Sequence, residues 1–156
     1  MDHSLTPTRS LVLWRPLWRF LMILGLFNFA WESAQLPLYT IWRNGSREDI
    51  GFAVIHCTAG DVLIALSCAV AALALVGWQW PKKTWKKALF LALFLIFSLA
   101  YTIFSEWFNT TVRMSWEYSH LMPVVPPLDT GISPLLQWLT MPFLAFWLEG
   151  RTAPTR

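Results

Sequence analysis

The stretch AVIHCTAGDVLIALSCAVAALALVGW, Ala53 to Trp78, decides how this chain folds. It contains no Lys, Arg or Glu, and at 1.5 Å of helical rise per residue it is long enough to cross the ~30 Å hydrocarbon layer of a bilayer. Yet it keeps His56 and Asp61 near one end, with Cys57 and Cys68 on the same segment. An ionisable side chain facing lipid is strongly disfavoured, so both residues imply a shielded polar interior.

Three further apolar segments follow the same pattern, giving expected spans at 17–36, 53–76, 88–108 and 132–148. The chain is 56% hydrophobic and only 13% charged, against about 25% charged in an ordinary soluble domain. These figures predict an all-α polytopic membrane protein, a four-helix transmembrane bundle forming one integral membrane domain over residues 1–156. The first segment has the basic start and apolar core of a signal peptide. Trp31 and Glu32 stand where a cleavage site needs small residues, which favours an uncleaved helix.

Charge placement orients the bundle. Arg9, Arg15, Arg19, Lys82, Lys83, Lys86, Lys87, Arg151 and Arg156 fall on one side, and Arg43, Arg47 and Arg113 on the other. The excess of Lys and Arg on cytoplasmic segments puts both termini inside and the connections 43–52 and 109–131 outside. The net charge of +3 comes from residues flanking the spans, with no separate basic patch, so nucleic acid is not an expected partner.

With that orientation the polar residues Glu32, His56, Asp61, Glu106 and Gln137 all belong to the outer half of the spans, and the inner half reads as Leu, Ile, Phe, Ala and Val. A helical wheel groups them. Asn28, Glu32 and Gln35 share a face with Gly25; Ser98, Thr102, Ser105, Glu106 and Asn109 share another; Ser133, Gln137, Thr140 and Met141 a third. In the second span His56, Cys57, Gly60, Asp61, Ser67, Cys68 and Ala71 fall in an arc of about 140°. Ile55, Val62, Leu63, Leu66, Val70 and Leu73 take the other arc, toward lipid. The stripes are expected to face one another, with Gly60, Ser67 and Ala71 allowing close helix approach.

The 109–131 connection is long for a helix hairpin. Trp116 and Tyr118 suit the lipid–water boundary, while Pro123, Pro126 and Pro127 forbid a continuous helix. It reads as an interfacial lid over the pocket, a plain linker being the alternative. Trp14, Trp18, Trp31, Trp42, Trp78, Trp80, Trp85, Trp107 and Trp116 fit an aromatic belt. Cys57 and Cys68, ~16 Å apart along one helix, cannot pair and read as small packing residues.

Three chemical readings of the polar cluster stay open. His56, Asp61 and Glu106 combine imidazole with carboxylates, as zinc, iron or manganese sites do, although no tight motif such as H-x-x-E-H is present. The same three residues are candidate catalytic acid and base groups. Hydrogen bonds between polar side chains also simply join helices. Asn28, Glu32, Gln35, Tyr101, Trp116, Tyr118 and Gln137 are the expected walls of a ligand pocket. The sequence names no cofactor.

WESAQLPLY (31–39), HCTAGDVLIAL (56–66) and GISPLLQWLTMP (131–142) together resemble a group of small bacterial four-helix inner-membrane proteins. That resemblance implies a multi-pass protein of the bacterial inner membrane and no particular activity. Residues 106–138 are also similar in rhythm to the membrane carotenoid hydratases and cyclases, through Glu106, Trp116-Glu117-Tyr118, Met122-Pro123 and Trp138, without a Gly-rich loop. Two expectations follow. One is a membrane protein whose outer pocket holds a lipid, quinone, metal or membrane partner. The other is a small membrane enzyme acting on an isoprenoid or lipid, with Asp61 or Glu106 as proton donor and His56 tuning it.

Overall fold

The structure, a computed structural model, describes residues 9–152. Arg156, counted above among the cytoplasmic charges, lies outside the described residues. The chain is helical almost throughout: α1 (Arg9–Gln35), α2 (Ile41–Asn44), α3 (Arg47–Val76), α4 (Thr84–Trp107) and α5 (Ile132–Thr152), with one hairpin of two short strands, β1 (Val124–Val125) and β2 (Thr130–Gly131). Among the described residues two helices are long and apolar enough to cross a membrane, α3 and α4 extended through Val112. The other two long helices are diluted by Arg15, Arg19, Asn28 and Glu32 in α1 and by Gln137, Pro142 and Glu149 in α5.

Element boundaries have local causes. α3 begins at Arg47, six residues before the expected span, because Ser46 and Asp49 form a capping box: Asp49 N–H donates to Ser46 Oγ, and Ser46 N–H donates to the Asp49 carboxylate. It ends at Gly77, whose φ of 105° favours glycine. α1 stops at Gln35, just before Pro37, and a 3₁₀ turn over Leu36–Leu38 follows. α4 runs on through a π-helical turn, Phe108–Val112.

The four long helices pack in a ring, α1 against α3 and α5, and α4 against α3 and α5. At the end where the α3–α4 connection lies, the ring is closed by aromatic side chains. Phe20 of α1 is fully buried, with Trp80, Phe90, Phe94 and Phe146 ring centroids 5.5–6.3 Å away. Most of these contacts are tilted or edge-on, the geometries that aromatic quadrupoles favour. Leu17, Leu21, Leu24, Ala69, Ala72 and Leu73 fill the spaces between them.

Two expectations change here. The closed end is not wholly apolar: Glu149 is buried, accepts from Arg19 Nη2 at 2.6 Å and from Trp80 Nε1 at 3.2 Å. Trp80 therefore belongs to the core and not to a belt, while Trp14, Trp18, Trp78 and Trp85 are exposed. On α3 the packed face comprises Val54, Asp61, Ala65, Cys68, Ala69, Ala72, Leu73 and Val76. That face is rotated roughly a quarter-turn from the small and polar arc, which shares only Asp61 and Cys68 with it. Leu73, expected toward lipid, is fully buried; Ser67 and Ala71, expected at a close helix contact, are exposed. The close approach is made by Gly25 of α1, where an added Cβ would stand 3.1 Å from Val62 Cγ2.

Candidate functional site

What, then, does the small arc of α3 face? Away from the aromatic end, α3 and α4 border a cavity of about 930 Å³. His56, Cys57, Gly60, Asp61, Ser67 and Cys68 line it from α3, and Tyr101, Thr102, Ser105 and Glu106 from α4. Six of the seven residues of that arc thus face the cavity, and Ala71 does not. Glu32 and Gln35 contribute from α1, and Gln137 and Trp138 from α5.

Three carboxyl groups stand at the inner wall of this space, and each is held by neutral donors. Glu32 Oε1 accepts from Gln35 Nε2 at 2.9 Å. Gln35 is fixed in turn by Ser133 Oγ, which donates to its Oε1 at 2.7 Å and accepts from Trp31 Nε1 at 3.2 Å. Asp61 Oδ2 accepts from Gln137 Nε2 at 2.8 Å, and Glu32 lies beside the same pair. Glu106 accepts a hydrogen bond from the Tyr118 hydroxyl, whose oxygen also accepts from Gly131 N–H at 3.0 Å. Among the described residues none of the three carboxyls has a cation at ion-pairing distance. Burial of charge without an ion partner is costly, so these hydrogen bonds fix the geometry of the wall.

Polar capacity is left over. Thr102 is 4% exposed, lines the cavity, and its Oγ1 has no hydrogen-bond partner. Asn28, one turn below Glu32 on α1, is 1% exposed with neither amide atom bonded. The Trp116 indole N–H is turned toward Glu106 without closing a hydrogen bond. Buried polar groups in folded proteins are nearly all satisfied, and exceptions concentrate where a water or ligand completes them.

The 108–131 segment is a fitted cover. Ser119 N–H donates to Leu38 O at 2.8 Å, Ser119 Oγ to Pro37 O at 3.0 Å, and Thr40 N–H to Glu117 O at 3.0 Å. The Tyr39 ring packs tilted against that of Tyr118, centroids 5.5 Å apart. Burial, reinforced by the negative field of Glu106, raises both phenols above the ordinary tyrosine value. Gly131 is needed here, because a Cβ would stand 3.0 Å from Met122 Sδ and 3.1 Å from the Tyr118 ring. Ser115, Trp116 and Glu117 then form part of the cavity wall.

The predicted site residues are distributed as follows. Glu32, Gln35, Asp61, Glu106, Trp116 and Gln137 converge on the cavity, and Tyr101 stands at its rim, half exposed. Tyr118 lies behind Glu106 and Asn28 beneath the floor, both outside the lining. His56 borders the cavity but is exposed, its ring stacked on Phe52 at 5.4 Å, with no bond to Asp61 or Glu106. Among the described residues no three His, Cys, Asp or Glu side chains gather closely enough to hold a metal ion. The metal set His56, Asp61 and Glu106 is therefore not assembled: the turn of α3 that buries Asp61 points His56 outward.

Compared with protein-family models, curated proteins and solved structures, the chain matches none. The site has to be read from its own geometry. Ser133, Tyr39 and Ser119, which hold the carboxyl partners and the cover in place, carry no pattern of their own in the sequence. Ser133 alone shared a wheel face with Gln137, and that was the available signal.

Proposed function

We propose that this protein is a multi-pass membrane protein, its four long helices spanning the bilayer, which holds a lipid-phase ligand in the cavity at the open end of the bundle. The observation carrying this reading is a cavity of about 930 Å³, within the range of small-ligand sites, whose three carboxyls lack cations and whose Thr102 hydroxyl lacks a partner. α3 and α4 support the membrane placement by length and composition. The ring of helices brings the outward side chains Leu26, Phe29, Leu63, Ile96 and Phe143 to the surface, all exposed and apolar, which suits a lipid solvent. Eight of the eleven Lys and Arg among the described residues fall at the closed end, so the cavity faces outward, toward the periplasmic side of a bacterial inner membrane.

The test is native mass spectrometry of protein extracted gently from its own membrane. A small amphiphile or quinone retained at near-unit ratio, and lost from Asp61→Asn while the melting temperature holds, is the expected result. An empty protein, with Asp61→Asn changing only stability, would leave the polar residues as helix glue.

A second reading has one observation in its favour. Glu106 is held by Tyr118 at a wall shared with the Trp116 and Trp138 rings. A carboxyl so placed is able to protonate a double bond of an isoprenoid, with aromatic faces steadying the carbocation. In that case Glu106→Gln abolishes product formation without lowering the melting temperature.

A further inference from the structure

The cavity is open sideways. Its α3 wall runs from Asp49 through Phe52 to Cys68, ~24 Å between the last two by helical rise. Along that wall Leu63 is 65% exposed and Ser67 is exposed, and Tyr101, which lines the cavity from α4, is 48% exposed. These residues lie in the body of the helices, well below the cover. α3 and α4 therefore border a slot that reaches the protein surface at the depth of the acyl chains. Gly60 keeps it clear: a Cβ built there meets nothing within 4 Å.

The slot has a sign as well as a shape. Three carboxyls stand at its inner wall, Glu32, Asp61 and Glu106, and two more at its mouth, Asp49 and Glu117. Arg113, exposed at the mouth, is the one Lys or Arg among the lining residues. Oxygen acceptors thus dominate where a head group would rest, and Thr102 adds a hydroxyl with no partner inside the protein. An anionic head would meet an excess of acceptors, with the exposed Asp49 and Glu117 carboxylates outnumbering Arg113 at the mouth. A hydroxyl or an ammonium would donate into them.

Resting on the proposed ligand-holding role, we propose that the ligand is a single-chain amphiphile with a non-anionic, hydrogen-bond-donating head, which enters from the bilayer between α3 and α4. The head lies among Glu32, Asp61, Glu106 and Thr102, and the chain follows the slot past Gly60 toward Ser67.

The experiment places the full-length protein in phosphatidylcholine nanodiscs with three diazirine-bearing probes of equal chain length: octadecanol, octadecylamine and octadecyl sulfate. Peptide mapping after photolysis should put alcohol and amine adducts on α3 and α4 around Leu63 and Tyr101, at least ~10-fold above the sulfate, given the penalty on like-charge contacts. Gly60→Phe fills the slot and should remove those adducts with the melting temperature unchanged. Ser67→Trp, on the exposed rim, serves the same purpose should Gly60→Phe fail to fold. Equal labelling by the sulfate, still removed by Gly60→Phe, overturns the head-group assignment and leaves the cavity reading standing. Adducts that survive both variants, or that scatter over Leu26 and Phe29, overturn both.

Discussion

The same four helices bury their inner faces by opposite means at the two ends of the bundle. At the closed end Phe20, Phe90 and Phe94 are fully buried against one another and against Trp80 and Phe146. At the open end the facing residues are shorter and polar, and they stop short of filling the space, leaving about 930 Å³. Packing density supplies stability where space is filled, whereas a cavity with partnered walls supplies a place for something else. The closed end should therefore answer to substitution with lost stability, and the open end with lost binding.

The largest effect is expected at Phe20. Truncation to Ala removes the ring that four aromatic neighbours surround and leaves a void that fixed helices cannot close, costing ~3 kcal/mol or more. Asp61→Asn keeps the shape and an acceptor for Gln137 Nε2, so its cost should stay below ~1 kcal/mol, in the range of a retained neutral hydrogen bond. Reversible unfolding in mixed micelles measures both. Equal losses would mean that the open end is a structural core after all.

Next in size is Arg19→Ala. Glu149 is 4% exposed and would lose the Arg19 guanidinium while keeping the Trp80 N–H. Removing one member of a buried pair strands the other charge, and with Arg19 itself about a third exposed the loss should be about 2–3 kcal/mol. Arg19→Ala/Glu149→Gln should recover part of it. A double variant as weak as the single one would show that the pair's charge is not what matters.

The cover gives a pH-dependent comparison. Tyr39 and Tyr118 are half-buried beside Glu106, and their phenols are raised above the ordinary value near 10. In the unfolded chain they ionise at that ordinary value while the folded protein still holds both protons. Their contribution is thus complete below pH ~10 and falls above it by about 1.4 kcal/mol per pH unit for each phenol. Tyr118→Phe should flatten the alkaline slope and at the same time loosen Glu106, a change visible as faster amide exchange at Gly131, whose N–H donates to Tyr118. An unchanged slope would place the two phenols in contact with solvent.

Much of this contrast was legible in the sequence, and the missing part has a specific cause. The helical class, the break at Pro37 and the gathering of Glu32, Asp61, Glu106 and Gln137 follow from composition, proline chemistry and the 100° wheel. A wheel gives the angle between residues but not the direction in which the helix is turned. The arc of α3 was expected to face a polar pocket, and six of its residues line one; Gly60, Ser67 and Ala71 were also expected at a close helix contact because small residues usually lie there, and Ser67 and Ala71 are exposed instead. His56 went astray for the same reason, since its angular distance from Asp61 becomes a separation between rim and floor. Glu149 was missed because it stands one residue past the expected end of its span, where a carboxylate looks like an interfacial charge until Arg19 and Trp80 are seen to enclose it.

The smallest predicted effect tests that rotation directly, through two glycines. Gly25 and Gly60 both lie inside long helices, where Ala is intrinsically better by roughly 0.8–1 kcal/mol. At Gly60 the new methyl meets nothing within 4 Å, so the propensity gain should appear almost undiminished as a raised melting temperature. At Gly25 the methyl meets Val62 Cγ2 at 3.1 Å, and the strain of overpacking, about 1–3 kcal/mol, should cancel or reverse the gain. Had Gly60 stood at the contact seam and Gly25 in open space, the signs would be exchanged, with Gly60→Ala destabilising and Gly25→Ala stabilising. The pair therefore reads the rotation of α3 from two melting curves, and adding Val62→Ala to Gly25→Ala should restore the gain if that one contact is the obstacle.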